Sequence, residues 1–243
     1  MTKIYAVGIG PGDRNYMAPQ AEKIILDCDV IIGYTAYLKL ISDLVTGKKV
    51  IDTGMKCETA RCEQAFQEAK LGKKVAVVSS GDAGIYGMAS LLMEMAENET
   101  DIEIEVIPGI TAAIAVAALL GAPLANDFAV VSLSDLLTPW QIIEKRLEAA
   151  ALGDFVVCLY NPASKTRVNS LQRACEILLK HKEPQTRCGY VRNALRNNHQ
   201  HQLCSLQELS MIRADMLTTA IVGNIDTKQI HGKLVTTRGY RFE

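Results

Sequence analysis

The chain is predicted to be an α/β protein of two lobes. Short β-branched strands alternate with helical patterns, the clearest strand lacks any period-two alternation, and the texture of the chain changes near residue 109. Val75-Ala76-Val77-Val78 is apolar at every position, as expected of a strand covered on both faces. Repeated strand–helix units of this kind build a parallel sheet with right-handed crossovers.

In the first half, strands are predicted over residues 3–8, 29–33, 49–52, 74–79 and 102–107, the last alternating as at a sheet margin. Helical patterns lie between them at 18–26, 37–45, 59–71 and 87–98. After an alanine-rich helix at 112–120, strands are predicted at 128–133, 155–160, 187–191, 219–222 and 232–237, with helices at 140–151, 166–181 and 206–212. A soft boundary near residues 109–125 divides an N-terminal lobe, residues 1–110, from a C-terminal lobe, residues 111–243. Ligands of such sheets bind at the carboxyl ends of strands, in clefts.

The 243 residues are 49% apolar and 22% charged, with a formal net charge of −1. Without a cationic excess, general binding to nucleic acid or to a membrane surface is not expected. A pocket for an acidic small molecule needs only a local cluster of Lys and Arg. The seven cysteines include no C-x-x-C pair, and several sit in apolar runs such as Phe155-Val156-Val157-Cys158-Leu159, so they read as reduced, packed residues. No secretory leader is predicted at the start, and the apolar run at 110–120 is too short to cross a bilayer. Together these features predict a cytoplasmic protein.

Gly8-Ile9-Gly10-Pro11-Gly12-Asp13 follows a strand and precedes a helix, which first suggests a dinucleotide loop. The details disagree. The fingerprint requires glycine where Asp13 stands, Pro11 removes a backbone donor, and Asp13 places negative charge where phosphate should bind. The second strand ends in Gly33-Tyr34-Thr35 rather than in an acidic residue, and no Gly-Lys-Ser/Thr is present. Three more strand-end turns follow: Ser79-Ser80-Gly81-Asp82-Ala83-Gly84-Ile85-Tyr86-Gly87, Pro108-Gly109-Ile110-Thr111-Ala112 and Tyr160-Asn161-Pro162. Four such turns predict a single site assembled from both lobes.

Read in order, Val7 to Asp13, Gly81 to Gly87 and Pro108 to Ala112 resemble the V-G-x-G-P-G-D, G-D-P/A-x-x-Y/F-G and P-G-I-T/S-A motifs of the tetrapyrrole methylases. The resemblance covers essentially the whole chain. Gly33-Tyr34-Thr35-Ala36-Tyr37, Thr53-Gly54-Met55, Leu133-Ser134-Asp135-Leu136-Leu137-Thr138-Pro139-Trp140, Tyr160-Asn161-Pro162-Ala163-Ser164-Lys165 and Thr237-Arg238-Gly239-Tyr240 narrow it. They are similar to the branch that methylates carbon 17 of precorrin-3B or cobalt-factor III, with ring contraction, in cobalamin biosynthesis. A corrinoid methylase acting elsewhere without ring contraction is the alternative; a nicotinamide-dependent reductase and a non-catalytic corrinoid carrier are more remote.

The resemblance implies a two-lobed tetrapyrrole methylase fold (class III), a homodimer, and S-adenosylmethionine in the cleft between the lobes, released as S-adenosylhomocysteine. The cofactor contacts it carries over are Pro11, Ser80, Gly81, Asp82, Ile85, Thr111, Ala112, Asn161, Asn193 and Ala194. It places the opening loop, with Gly10 and Gly12, nearer the tetrapyrrole. The family usually has proline after the Gly-Asp pair, where this chain has Ala83.

Methyl transfer from a sulfonium needs positioning and a dry cleft, worth ~7–11 kcal/mol in the best intramolecular analogies. Ring contraction also needs a general acid/base near the migrating centre, and Asp13, Ser134, Asp135 and Tyr160 are strand-end candidates. Asp82 reads instead as a cofactor-side ligand or turn-former. Lys165, Arg167, Arg192, Arg196 and Arg238 are candidates for the substrate carboxylates. No resident metal is predicted: His199 and His201 lie in a polar stretch without a spaced third ligand, although a substrate cobalt can accept an axial imidazole.

Overall fold

The computed structural model describes residues 2–164 and 166–241. The chain forms two compact units, Met1–Ala112 and Ala113–Glu243.

The first unit holds β1 (Thr2–Gly8), α1 (Pro19–Asp27), β2 (Val30–Tyr34), α2 (Thr35–Leu38), β3 (Lys49–Thr53), α3 (Glu58–Lys70), β4 (Val75–Ser79), α4 (Ala89–Ala96) and β5 (Ile102–Ile107). The strands form one parallel sheet in the order β3-β2-β4-β1-β5. Successive side chains point to opposite faces, so each strand feeds two cores. Ile4, Ala6, Val30, Ile32, Val75 and Val77 pack against Cys62, Ala65 and Phe66 of α3 and Leu92 of α4. Val7, Ile31, Ala76 and Val78 pack against Ala21 and Ile25 of α1 and against Leu38. This two-sided burial is why Val75 to Val78 carries no polar residue. Register pairs Gly8 with Ser79 and Val7 with Ile107, so the turns after β1, β4 and β5 emerge side by side.

The second unit contains α5 (Ala112–Leu120), β6 (Gly121–Ala122), β7 (Phe128–Ser132), α6 (Trp140–Leu152), β8 (Val156–Tyr160), α7 (Ser170–Leu178), β9 (Arg187–Arg192), β10 (Gln200–Ser205), α8 (Leu206–Leu209), β11 (Thr218–Val222), β12 (Thr227–Ile230) and β13 (Lys233–Thr236). α5 enters from Ala112, the last residue of the first unit. Its main sheet is mixed, in the order β10-β9-β11-β8-β7, and β12-β13-β6 forms a small second sheet. β7 is parallel to β8, while β11 is antiparallel to both β8 and β9. Hence β7, β8 and β9 end at the same edge. One face is packed by Ile143 and Leu147 of α6 and Leu171, Ala174, Cys175 and Leu178 of α7.

β10 and β12 lie where the sequence predicts no strand. β10 is an edge strand: Gln200, His201 and Gln202 are exposed, so backbone pairing with β9 holds them without any apolar pattern. His201 is therefore on a strand rather than in a loop, and its ring stacks on that of His199 with centroids 6.1 Å apart. The helix predicted at 166–181 begins only at Ser170, because Ser164 and Arg167 exchange backbone hydrogen bonds and close a turn first. No described helix is long and apolar enough to cross a membrane.

Candidate active site

In the first lobe the turns at the carboxyl edge are joined to one another. Gly10 and Gly81 exchange backbone hydrogen bonds, Gly10 N to Gly81 O at 3.0 Å and Gly81 N to Gly10 O at 2.7 Å, and both residues have φ of 71°. The third member, Gly109, approaches so closely that a Cβ there would lie 2.2 Å from Gly81 O and 2.7 Å from Gly8 O. Only glycine allows three backbones to meet in this way.

Asp82 binds the assembly together. Its Oδ1 accepts from the backbone N–H of Gly84 (2.8 Å) and Ile85 (3.2 Å), and its Oδ2 accepts from Gly109 N–H (2.9 Å). It thus forms the turn, one of the two roles the sequence offers. The turn closes with Ala83, fully buried, in the place where the family usually has proline. Beyond it Gly84, Ile85 and Tyr86 are exposed, and Tyr86 adopts φ of 54°. The open side of Gly81 faces the Thr111–Ala112 backbone, with Thr111 Cα 3.6 Å from where a Cβ would stand. Pro11 is buried beside this bridge, and Ser80, Thr111 and Ala112 are half-buried.

Asp13 caps the short 3-10 turn Arg14–Tyr16, accepting from Asn15 N–H at 2.8 Å. Gly12, with φ of 136°, precedes it. Arg14 is bound by Glu22 and, at 2.9 Å, by Asp43. No Lys or Arg occurs within 8–13, 79–88 or 108–112, so these turns present amides and carbonyls but no cation for a phosphate.

In the second lobe the ends of β7, β8 and β9 gather the remaining candidates. Asn161 has φ of 54°, and its Nδ2 donates to Ser132 Oγ at 2.9 Å; Ser134 N–H donates to the same hydroxyl at 3.3 Å. Tyr160 is buried, and its hydroxyl accepts from Ala113 N–H at 2.6 Å, capping α5. Asn193 and Leu195 take φ of 56° and 54°, an unusual conformation for such side chains, in the turn that carries Ala194.

The cation candidates separate by environment. Arg167 folds inward: its Nη1 donates to Leu133 O at 3.1 Å, and Nε lies 3.4 Å from Asp135 Oδ1, an ion contact without a hydrogen bond. Arg192 pairs with Asp215 at 2.6 Å. Burial works against the Asp215 charge, but Arg192, Thr218 and the Leu217 amide outweigh it and hold the carboxyl below its usual range. Arg196 is half-buried four residues beyond Arg192. Arg238 lies over the Tyr240 ring, 5.8 Å from its centroid. Lys165 is outside the described residues. Among the described residues no group of three or more His, Cys, Asp or Glu is placed to hold a metal.

Two roles escape a sequence reading. The Asp82–Gly109 bond joins residues 27 apart, and nothing local marks it. Arg61 is buried on α3, where its place on the stripe of Cys62, Ala65, Phe66 and Ala69 is the signal to be found.

The two-lobed fold and its glycine-built strand-end turns define a methylase architecture, and residues 3–210 match the family model of the tetrapyrrole (corrin/porphyrin) methylases. The chain belongs to this family. It is 44% identical, over 98% of its length and 45% of the relative's, to the cobalt-factor III methyltransferase of Priestia megaterium. It is 45% identical to a Salmonella typhimurium protein named "Probable cobalt-factor III C(17)-methyltransferase", over 96% of this chain and 98% of that one. The chain therefore spans about half of the first relative and nearly all of the second. Its fold also matches the crystal structure of the methyltransferase CobJ, with a TM-score of 0.91 and 35% identity over 98% of this chain and 100% of that chain.

Proposed function

We propose that the protein transfers a methyl group from S-adenosylmethionine to carbon 17 of cobalt-factor III or precorrin-3B, with contraction of the macrocycle, in cobalamin biosynthesis. The observation that carries this reading is the Gly10–Gly81–Gly109 junction pinned by Asp82, built from turns that hold no Lys or Arg within 8–13, 79–88 or 108–112. Such turns suit a neutral adenosine and a sulfonium, and they offer a dinucleotide pyrophosphate no charged partner.

When bound, S-adenosylmethionine supplies an electrophilic methyl group. The chain's own contribution is placement. Gly81, the Thr111–Ala112 backbone and exposed Ile85 are assigned to the cofactor in the first lobe, with Pro11 and Ser80 beside them. In the second lobe Asn161, whose Nδ2 donates to Ser132 Oγ, is assigned to the cofactor together with Asn193 and Ala194. Gly10 is hydrogen-bonded to the cofactor turn itself, so the opening loop serves both ligands, with Gly12 on the tetrapyrrole side.

Among the acid/base candidates, Asp13 and Tyr160 accept from backbone amides and hold turns in place. Asp135 is exposed, bears on Arg167 and accepts no backbone amide among the described residues, so proton handling is assigned to it. Arg192 and Arg196, flanking the Asn193 turn, are assigned to substrate carboxylates. The family resemblance supports a homodimer working in the cytoplasm.

Incubation with cobalt-factor III or precorrin-3B and S-adenosylmethionine, read by mass and absorption spectra, tests the reading. The expected product has gained one methyl group and shows the spectrum of a contracted ring. Methyl gain with an uncontracted spectrum would leave a non-contracting corrinoid methylase. Binding of NAD(H) without any affinity for S-adenosylhomocysteine would sink the methylase reading.

A further inference from the structure

Arg61 is only 4% exposed, on the buried side of α3. A guanidinium there is costly unless its donors are satisfied. Its Nε donates to Thr53 Oγ1 at 2.7 Å, Nη2 to Gly54 O at 3.0 Å, and Nη1 to Met88 Sδ at 3.4 Å. Thr53 Oγ1 donates onward to Gly33 O at 3.3 Å, which links the ends of β3 and β2. None of the ion pairs among the described residues includes Arg61. Its charge is met by neutral acceptors, and its planar fork is used for geometry.

The turns it holds differ from the cofactor turns. The ends of β2 and β3 carry Tyr34 and Tyr37, packed edge to face at 5.2 Å, and Met55, 48% exposed. Aromatic and thioether groups suit a flat conjugated macrocycle. The ends of β1, β4 and β5 are built of glycine backbone, and the Gly81 turn has anchors of its own in Gly10 and Asp82. Of the three Arg61 contacts, only the long one to sulfur reaches that side.

We propose that Arg61 is a positioning residue for the tetrapyrrole: acting through Thr53, it holds the Thr53-Gly54-Met55 turn as the macrocycle-side edge of the first lobe and leaves the cofactor turn to Asp82. The assignment rests on the tetrapyrrole methylase reading above.

The test uses Arg61→Lys, which keeps the charge and loses the fork, and Thr53→Val, which removes only the hydroxyl and stands in should Arg61→Lys fail to fold. Cobalt-factor III is titrated by absorbance in the presence of S-adenosylhomocysteine, and S-adenosylhomocysteine alone by calorimetry. Each variant should weaken cobalt-factor III binding by about tenfold, as expected of a displaced positioning element. S-adenosylhomocysteine affinity should stay within about twofold, and the double variant should be no worse than Arg61→Lys, because both changes cut the same link. Hydrogen exchange should quicken at residues 54–57 and stay unchanged at Gly84 and Ile85. Unaltered cobalt-factor III binding in both variants, an equal loss for both ligands, or a uniform rise in exchange would overturn the proposal. Wild-type protein that binds S-adenosylhomocysteine but no cobalt-factor III would overturn the substrate reading first, and the edge assignment with it.

Discussion

Asp82 Oδ2 accepts the backbone N–H of Gly109 at 2.9 Å, tying the turn after β4 to the turn after β5 with one side chain. The other oxygen of the same carboxylate accepts from Gly84 and Ile85. The charge of Asp82 is thereby spent on holding the site's shape.

Replacing Asp82 with Asn puts a donor where one of these amides needs an acceptor. Loss of a charge-assisted bond, with an amide left facing an N–H, should cost about 1–3 kcal/mol. Denaturant unfolding checks this, and a midpoint equal to wild type would mean that the carboxylate does not anchor the turns.

Gly109 and Gly81 should respond differently to alanine. At Gly109 the new Cβ would stand 2.2 Å from a backbone oxygen that has nowhere to go, so a loss above ~3 kcal/mol is expected. At Gly81 there is room for the atom, and the penalty is that of φ +71°, about 1–2 kcal/mol. Gly81→Val adds bulk on the open side and should abolish S-adenosylhomocysteine binding in a folded protein. Normal binding by that variant would refute the cofactor placement.

Tyr160→Phe removes the acceptor for Ala113 N–H at 2.6 Å and leaves the ring in place. A stability loss of about 1–2 kcal/mol is expected, with methyl transfer retained. A fully stable but inactive Tyr160→Phe would move proton handling from Asp135 to Tyr160. Asp135→Asn should bind S-adenosylhomocysteine as wild type does and fail to contract the ring.

The thiols give a further check. Burial pushes Cys28, Cys158, Cys175 and Cys204 up to about 12 and Cys62 to about 11, and holds Cys188 well above the ordinary thiol value. Cys57 is exposed. A thiol reagent at pH 8 should therefore label one cysteine quickly in the native protein and all seven after unfolding. Because the folded state holds these protons more tightly than the unfolded value of 9.0, stability is complete below about pH 9 and falls as pH rises toward 12. Fast native labelling of several thiols would contradict the packed core.

The apolar pattern of the chain by itself determined the two α/β lobes, the parallel first sheet and the positions of the strand-end turns, because burial on both faces writes itself into unbroken apolar runs such as Val75 to Val78. Pro11 and Asp13 likewise argue against a phosphate loop on sequence grounds alone. β10 left no such trace, since an edge strand is held by backbone pairing and its side chains meet water. Only the tertiary structure decided that Asp82 holds turns 27 residues apart, that Tyr160 caps α5, and that Arg61 turns inward. Hydrogen bonds between distant residues depend on which turns the sheet order brings together. A polar side chain carries no mark in sequence of the partner it will meet.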